Sequence, residues 1–569
     1  MTETTTTTTN GKSEGEQKLL PVTVLSGFLG SGKTTLLKHI LQSNTHGLKI
    51  AIIVNDMAEV NIDGAHVARL STKEDKANLV QMQNGCICCT LRGDFLVELA
   101  QMAWGGKFDY VLIESSGISE PQQVAETFTQ ALSEEMLDIP EEIKGNEREV
   151  IERLAKVGGL EKIAKIDTMV TVVDAFRFFA EFNTGEFLTD RFGREEVPEE
   201  DERTVSDLMA DQIEFANVII INKTDMVDKA TKERVKGYIK ALNPKAKVIE
   251  AKHSKIDPKE IVGTNMFDMD EAQTMPGWLK SLHEMFIMDA GGRKKKTPKP
   301  ETLEYGIGSF VYRARKPFDP MKLYKLLAGK FVLIQTVFEE VDDSEDEEGE
   351  GDEDAKGDAD GDEEMPSADG PRVTPAKRKA EPESEESDDE EDPYFKSLPK
   401  DPKDIVAAKA ADPLWSGMHR SKGWLWFATR FKQAGSWNTA GAMLRVEYEQ
   451  NWFCEVPEEE WAFDEDIKRA VLKDFEGEWG DRRQEIVFIG ERLNEKKIRK
   501  ALDACLLTDK EFKKWERLMR RKDIDLEKKE EKLHEWWDDS YWAEWTVPDD
   551  EDEDEHDHDH SHGHPHRKH

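Results

Sequence analysis

Three of the chain's five cysteines lie within four residues, at Cys86, Cys88 and Cys89. Thiolates at this spacing can bind one borderline or soft metal ion from a single tight turn. Zn²⁺ favours four tetrahedral ligands, so three cysteines leave one position for water, a ligand from another protein, Asp56 or Glu59. An open position favours metal transfer over a permanent structural site. Cu(I) is the alternative metal, since it also prefers thiolates.

A phosphate-binding loop precedes the cysteines. Gly27-Phe-Leu-Gly-Ser-Gly-Lys-Thr34 fits the pattern G-x-x-x-x-G-K-[ST], in which backbone N–H groups and a helix N-terminus converge on phosphate oxygens. We expect Lys33 to reach the β- and γ-phosphates and Thr34 to bind Mg²⁺. The predicted nucleotide-binding residues of the loop are Gly27, Gly30, Ser31, Gly32, Lys33, Thr34 and Thr35.

The base of the nucleotide is predicted from Asn222-Lys-Thr-Asp225, an N-K-x-D pattern that follows an apolar strand. The Asp225 carboxylate would accept hydrogen bonds from the N1–H and the amino group of guanine, which adenine cannot supply. Asn222, Lys223 and Asp225 are therefore the predicted guanine-binding residues, and the sequence favours GTP over ATP.

A third polar segment, Glu114-Ser-Ser-Gly117, also follows an apolar strand. A carboxylate at this position can bind Mg²⁺ through water or orient the attacking water, so we predict Lys33 and Glu114 as the catalytic residues. We expect the N–H of Gly117 to contact the γ-phosphate. Asp174, at another strand end, is a lesser candidate.

The motifs lie in a segment in which apolar β-branched runs alternate with helical segments from Pro21 onward. This alternation predicts a doubly wound α/β domain with parallel strands. The predicted strands are Val22–Leu25, Ile50–Val54, Tyr110–Ile113, Met169–Val173, Val218–Ile221 and Lys247–Glu250. Residues 131–165 are predicted to form an exposed helical insertion.

A smaller α+β domain with a mainly antiparallel sheet is predicted to follow. Its predicted strands are Gly308–Arg313, Gly423–Ala428, Ala442–Tyr448 and Glu485–Ile489, and its predicted helices are Glu495–Cys505 and Lys510–Trp537. The predicted organisation is a disordered segment at 1–18, a nucleotide-binding domain at 19–264, a linker at 265–303, the second domain at 304–510 with a disordered acidic insertion at 339–400, a charged and Trp-rich segment at 511–548, and an acidic, His-rich tail at 549–569.

Composition narrows the function classes. The net charge of −40 argues against general binding to nucleic acid, although Glu339–Asp392, with 27 acidic and 5 basic residues, supplies much of it. The sequence contains no apolar run long enough to cross a membrane and too few cysteines for a disulfide framework. We therefore expect a soluble protein of the cytoplasm, with the nucleus as an alternative.

The C-terminal histidines nearly alternate with Asp, Ser, Gly and Pro after an acidic run, and neutral imidazoles are good metal ligands. We interpret this tail as a set of weak metal sites that collects zinc for the cysteines; a solvated acidic tail is the alternative. The predicted tail ligands are His556, His558, His560, His562, His564 and His566. Trp536–Trp545 is predicted to pack on the second domain or to contact another protein.

With these motifs in order, the chain resembles the CobW family of P-loop GTPases over about 20–260 and 305–510. The segments that carry the resemblance are Gly27–Thr34, Gly85-Cys-Ile-Cys-Cys-Thr90, Glu114–Gly117, Asn222–Asp225, Arg420–Phe427 and Gly480–Gly490. Asn55–Asp63 departs from the Glu-Phe-Gly string that is commoner in the family, in the manner of the zinc-starvation branch.

The resemblance implies a GTP-hydrolysing metallochaperone that uses GTP, Mg²⁺ and Zn²⁺ and passes zinc to a client apo-metalloprotein. Nucleic acid and membranes are not expected partners, and a homodimer is left open. Two alternatives are a zinc buffer or sensor with incidental GTPase activity and a cobalt-handling factor for cobalamin-type cofactor assembly.

Overall fold

The structure is a computed structural model. It describes residues 19–43, 47–55, 77–82, 92–129, 146–193, 201, 203–269, 306–335, 393–458, 461, 468–469 and 471–545. The predictions for residues 1–18, for most of the acidic insertion and for the His-rich tail therefore lie outside the described residues.

The first domain contains a seven-stranded sheet in the order β3-β2-β4-β1-β5-β6-β7, in which every pairing is parallel. Its strands are β1 (Leu20–Ser26), β2 (Ile50–Asn55), β3 (Ala77–Met82), β4 (Tyr110–Glu114), β5 (Ala164–Asp174), β6 (Val218–Asn222) and β7 (Lys247–Glu250). β1 lies at the centre, between β4 and β5, so the loops that follow these strands meet at one edge of the sheet. This arrangement confirms the predicted α/β fold.

Helices cover both faces of this sheet. They are α1 (Lys33–Gln42), α2 (Arg92–Gly105), α3 (Pro121–Glu126), α4 (Asn146–Val157), α5 (Phe178–Phe182), α6 (Leu188–Phe192), α7 (Val205–Glu214) and α8 (Lys229–Leu242). One face is buried by α2 and α4, whose apolar side chains pack with those of β1 and β4. α1 packs on the opposite face, through Leu36, Leu37 and Ile40.

The second domain contains a six-stranded sheet in the order β8-β13-β10-β11-β12-β9. Its strands are β8 (Ile307–Ala314), β9 (Val332–Ile334), β10 (Met418–Leu425), β11 (Gln433–Ala440), β12 (Met443–Asn451) and β13 (Gln484–Glu491). All pairings are antiparallel except that of β9 with β12, which confirms the predicted mainly antiparallel sheet. Its helices are α9 (Pro320–Leu327), α10 (Pro393–Lys396), α11 (Pro402–Ala411), α12 (Glu495–Cys505), α13 (Asp509–Met519) and α14 (Leu526–Trp536).

Five segments differ from the sequence prediction: one helix, one insertion and three strands. The predicted helix Lys510–Trp537 is two helices, because Asp525 caps a new helix by accepting the N–H of Lys528. The insertion at 131–165 is not wholly exposed: Ile151 and Leu154 of α4 are buried, and β5 already begins at Ala164. Strands β3, β9 and β11 were not predicted.

Two predicted boundaries also shift. Residues 393–396 form a helix although they fall in the predicted insertion, and the ring of Phe395 lies 4.5 Å from that of Tyr541. The predicted linker begins at 265, yet the N–H groups of Met266 and Phe267 both donate to the carbonyl of Asp167 in β5. The Trp-rich segment packs on the second domain as predicted, with Trp542 and Trp545 in its core.

Candidate functional site

The phosphate-binding loop connects the end of β1 to the start of α1. Gly32 caps α1 with a left-handed backbone (φ 112°), which a residue with a Cβ atom rarely adopts. A Cβ atom there would also lie 2.4 Å from Nδ2 of Asn222. α1 therefore begins directly at the end of the loop, which places a helix N-terminus at the predicted phosphate site.

Two polar groups of this loop suit a phosphate ligand. The buried ammonium of Lys33 donates to the carbonyls of Gly27 (2.6 Å) and Phe28 (3.3 Å), so it already lies over the loop. The buried Oγ of Ser31 has no hydrogen-bond partner among the described residues. A buried hydroxyl without a partner is costly, and a phosphate oxygen would satisfy it.

Thr34 and Glu114 come together from different elements. Thr34 lies in the first turn of α1, and its Oγ1 donates to Oε1 of Glu114, at the end of β4, over 2.6 Å. A hydroxyl and a carboxylate are the oxygen ligands that Mg²⁺ prefers. Thr34, predicted to bind Mg²⁺, and Glu114, predicted to be catalytic, are thus adjacent, and their oxygen atoms fit Mg²⁺.

Gly117 lies against the phosphate-binding loop. A Cβ atom on Gly117 would lie 2.5 Å from Cγ of Leu29, and 2.9 Å from its backbone nitrogen. Only glycine allows this approach. The segment that follows β4 is therefore in contact with the loop that would hold the phosphates.

The N-K-x-D segment is tied to the same loop. Nδ2 of Asn222 donates to the carbonyl of Ser31 (2.9 Å) and to Oγ of Ser254 (2.8 Å), whose own hydroxyl donates to the carbonyl of Gly32. Lys223 pairs with Asp174 over 2.7 Å, which gives Asp174 a role in fixing this segment. The side chain of Asp225, the last residue of the segment, is 35% exposed, and its Oδ2 lies 3.9 Å from Nε2 of His253.

Sequence reasoning missed Ser254. It lies in the loop after β7, where His253 and Ser254 both have left-handed backbones, and its N–H donates to Oδ1 of Asn222. The signal was available, since β7 was predicted and its loop had to reach the same edge of the sheet as Asn222.

The predicted zinc ligands Cys86, Cys88 and Cys89 and the tail histidines lie outside the described residues. Within the described ranges, no group of three His, Cys, Asp or Glu side chains could hold a metal ion. The same part of the chain contains no helix that is both long and apolar enough to span a membrane. The described cysteines, Cys454 and Cys505, are both free thiols.

Together, the phosphate-binding loop, the Thr34–Glu114 pair and the N-K-x-D segment define a P-loop protein that binds a guanine nucleotide with Mg²⁺. The model of the CobW/HypB/UreG nucleotide-binding domain matches residues 21–145 and 148–250, and that of the cobalamin synthesis protein CobW C-terminal domain matches 398–506.

One relative that spans most of the chain agrees with these matches. A protein of Dictyostelium discoideum named zinc-regulated GTPase metalloprotein activator 1 is 35% identical over 510 residues, which cover 88% of this chain and 82% of the relative. The zinc chaperone CobW of Pseudomonas aeruginosa is 30% identical over 43% of this chain and 60% of its own length. The crystal structure of Zn(II)-bound YjiA GTPase from E. coli is 18% identical, with a TM-score of 0.30 over 86% of this chain and 100% of that chain. This chain belongs to the CobW family of P-loop GTPases.

Proposed function

We propose that this protein is a metallochaperone that binds zinc at Cys86, Cys88 and Cys89 and transfers it to a client apo-metalloprotein under the control of GTP. The names of two relatives, a zinc-regulated activator of metalloproteins and a zinc chaperone, support zinc as the cargo. The spacing of the three thiols supports a site with one exchangeable position.

The observation that carries the proposal is the position of β3. This strand pairs in parallel with β2, with Met82 opposite Asn55, so it ends at the same edge of the sheet as β1 and β4. Cys86 follows Met82 by four residues, a reach of at most about 14 Å. β3 is two strands from β4, or about 10 Å. A metal site in the β3–α2 connection would thus lie within reach of the segments that contact phosphate.

For GTP hydrolysis we assign roles from the contacts described above. Lys33 would leave the loop carbonyls for the β- and γ-phosphates and neutralise charge as it develops in transfer. Mg²⁺, when bound by Thr34 and, through water, Glu114, would supply further charge neutralisation at the phosphates. Glu114 would also orient the attacking water, and Gly117 would contact the γ-phosphate through its N–H.

Coupling between the two sites would follow from their shared edge. GTP would draw the segments that follow β2 and β4 toward the γ-phosphate, and the cysteine turn would then bind zinc more tightly. Loss of the γ-phosphate would release these segments and favour transfer to the client. Order and release of loops by a γ-phosphate is a common switch in GTPases.

The proposal also includes a source of zinc and a cellular compartment. The His-rich tail would collect zinc and pass it to the cysteines. The expected place of work is the cytoplasm, with the nucleus as the alternative, and a homodimer remains open. No contact with nucleic acid or membrane is part of the proposal.

The proposal is tested by zinc stoichiometry and by GTP hydrolysis in the presence of an apo-client. We expect about one tightly bound zinc per chain, lost in the triple variant Cys86→Ser, Cys88→Ser, Cys89→Ser. The matched control is Cys454→Ser with Cys505→Ser, since these thiols lie in the second domain, and it should keep the zinc. Retention of zinc by the triple variant would overturn the assignment of the site.

Client dependence separates the proposal from its alternatives. A metallochaperone should hydrolyse GTP faster when an apo-client is added and should deliver zinc to it. A zinc buffer or sensor would bind zinc equally well in all nucleotide states, and its hydrolysis would ignore the client. Preferential binding of cobalt by the cysteines would favour the cofactor-assembly alternative.

A further inference from the structure

A single buried amide connects α7 to the segment that follows β4. The side chain of Gln212, only 2% exposed, donates from Nε2 to the carbonyls of Gly117 (3.3 Å) and Ser119 (3.2 Å). The main-chain carbonyl of Gln212 in turn accepts a hydrogen bond from the hydroxyl of Thr171 in β5 (2.5 Å). The backbone of Gln212 is thus fixed to β5, and its side-chain amide holds the backbone of the Gly117–Ser119 segment.

The same helix is bound to the second domain by charge. Arg420 of β10 is fully buried and donates to both carboxylate oxygens of Glu214 (2.8 and 3.0 Å) and to Asp211 (3.2 Å). Asp207, one turn earlier, lies 3.5 Å from the same guanidinium. Because these carboxylates belong to α7, a displacement of the helix has to move β10 or break a buried ion cluster, which is costly.

α7 also borders a cleft of about 560 Å³ between the two domains. The residues after Ser119 line one wall, beginning with Glu120, and Lys422 and Trp424 of β10 line another. Asp211 and Glu214 of α7 also line the cleft. The helix that supports Gly117 therefore also sets the shape of the interdomain cleft.

We propose that Gln212 is a positioning residue for GTP hydrolysis, and that α7 transmits the position of the Gly117–Ser119 segment to Arg420 and the second domain. This rests on the proposed contact of Gly117 with the γ-phosphate. It does not depend on zinc or on the cysteines. When Gly117 moves toward the γ-phosphate, the hydrogen bonds of Gln212 to Gly117 and Ser119 pull α7 in the same direction. The ion cluster with Arg420 then moves β10 together with α7.

The direct test compares Gln212→Met, which keeps length without a donor, with Gln212→Asn, whose amide is one methylene too short. Both should lower kcat for GTP hydrolysis about tenfold, while KM for GTP and Kd for GDP stay within about twofold, because the proposed contact of this segment is with the γ-phosphate alone. GDP-binding stoichiometry reports that each variant is folded.

Asn243→Met is the matched control. Asn243 is also a buried amide, and its Nδ2 donates to the carbonyls of Ile213, Glu214 and Ala216 at the same C-terminal end of α7; none of these three hydrogen bonds involves the Gly117–Ser119 segment. It should cost stability but leave kcat within about twofold. Wild-type kcat in both Gln212 variants, or an equal loss of kcat in Asn243→Met, would overturn the positioning role.

Two further measurements separate the steps of the proposal. Gly117→Ala should lower kcat, since its Cβ would collide with Leu29; an unchanged kcat would overturn the role of Gly117 itself and not that of Gln212 alone. Amide hydrogen exchange in Met418–Leu425 should differ between the GDP and GTP-analogue states of the wild type and not in Gln212→Met. Identical exchange in both states of the wild type would overturn the transmission to the second domain.

Discussion

Two groups of charged residues in this molecule are built in opposite ways. At the phosphate-binding loop, Lys33 donates to loop carbonyls and Ser31 keeps a buried hydroxyl without a hydrogen bond in the described structure. At the interdomain cluster, Arg420 instead has its charge matched by Glu214 and Asp211. The first group is the one that we propose to bind the phosphates of GTP, and the charge of the second is balanced within the protein.

The electrostatics of the interdomain cluster follow from burial. Burial alone would lower the pKa of Arg420, but Glu214 and Asp211 outweigh it, so the pKa lies above its ordinary value. Burial raises the pKa of Asp207, against the opposing effect of Arg420. The ion cluster of Arg420 with Glu214 and Asp211, called the joint from here on, thus balances its buried cation with side chains of the fold, whereas the ammonium of Lys33 contacts carbonyls of the phosphate-binding loop.

The largest expected effect is at the joint. Arg420→Met should lower the free energy of unfolding by about 3–5 kcal/mol, because it leaves the buried carboxylates of Glu214 and Asp207 without their cation. Urea denaturation followed by tryptophan fluorescence measures this. The control is Lys422→Met, two residues along the same strand at the cleft, with an expected change below about 1 kcal/mol. Equal stability in Arg420→Met and the wild type would show that Arg420 does not stabilise the fold through the carboxylates of α7.

At the ligand site, Lys33→Ala should lower kcat for GTP hydrolysis about 10²–10³-fold, since it removes a charge that neutralises the transferring phosphoryl group. Stability should hardly change, because the carbonyls of Gly27 and Phe28 can accept from water instead. Steady-state phosphate release and a thermal melt check both expectations. A variant that unfolds more readily but hydrolyses GTP normally would reverse the assignment of this group.

The base should be set by Asp225. Asp225→Asn replaces an acceptor by a donor, so affinity for GTP should fall about 10–100-fold while affinity for xanthosine triphosphate rises. Competition binding with the two nucleotides measures the exchange. Thr224 offers a nearby control, since its hydroxyl donates to the carbonyl of Ala251, and Thr224→Val should keep the preference for guanine. Unchanged nucleotide preference in Asp225→Asn would contradict the assignment.

The smallest expected effect is a pH dependence beside the joint. Burial, with smaller contributions from Lys409 and Arg234, lowers the pKa of His419 to about 3; its ring packs against Tyr238, 5.0 Å between centroids. The unfolded chain binds this proton below about pH 6.5 and the folded chain does not, so stability falls as pH drops through that range. Between pH 7 and 5.5, the wild type should lose about 1 kcal/mol more than His419→Gln. Parallel pH profiles of the two proteins would contradict this.

Much of the ligand site was predictable because its chemistry is local in sequence. The phosphate-binding loop, Glu114 and Asn222–Asp225 each follow a strand whose apolar residues were recognisable, and parallel strands bring such ends together. Contacts such as that of Thr34 with Glu114 then follow from the order of the strands.

The joint was not predictable in the same way. Arg420 and Glu214 are 206 positions apart, and only the packing of two domains brings them into contact. Strand β11 (Gln433–Ala440) was missed because its residues are largely small or polar, and β3 because Ala77–Met82 has only a short apolar run. The pairing of these strands comes from the sheets around them and not from their own pattern.

The proposed control of zinc by GTP at Cys86, Cys88 and Cys89 can be measured as the zinc affinity of the protein in defined nucleotide states. A chromophoric chelator would compete for zinc with the protein bound to a non-hydrolysable GTP analogue with Mg²⁺ or to GDP. We expect at least tenfold tighter zinc binding in the GTP-analogue state, and no such difference in the triple cysteine-to-serine variant. Equal zinc affinity in the two nucleotide states of the wild type would show that GTP does not control zinc binding.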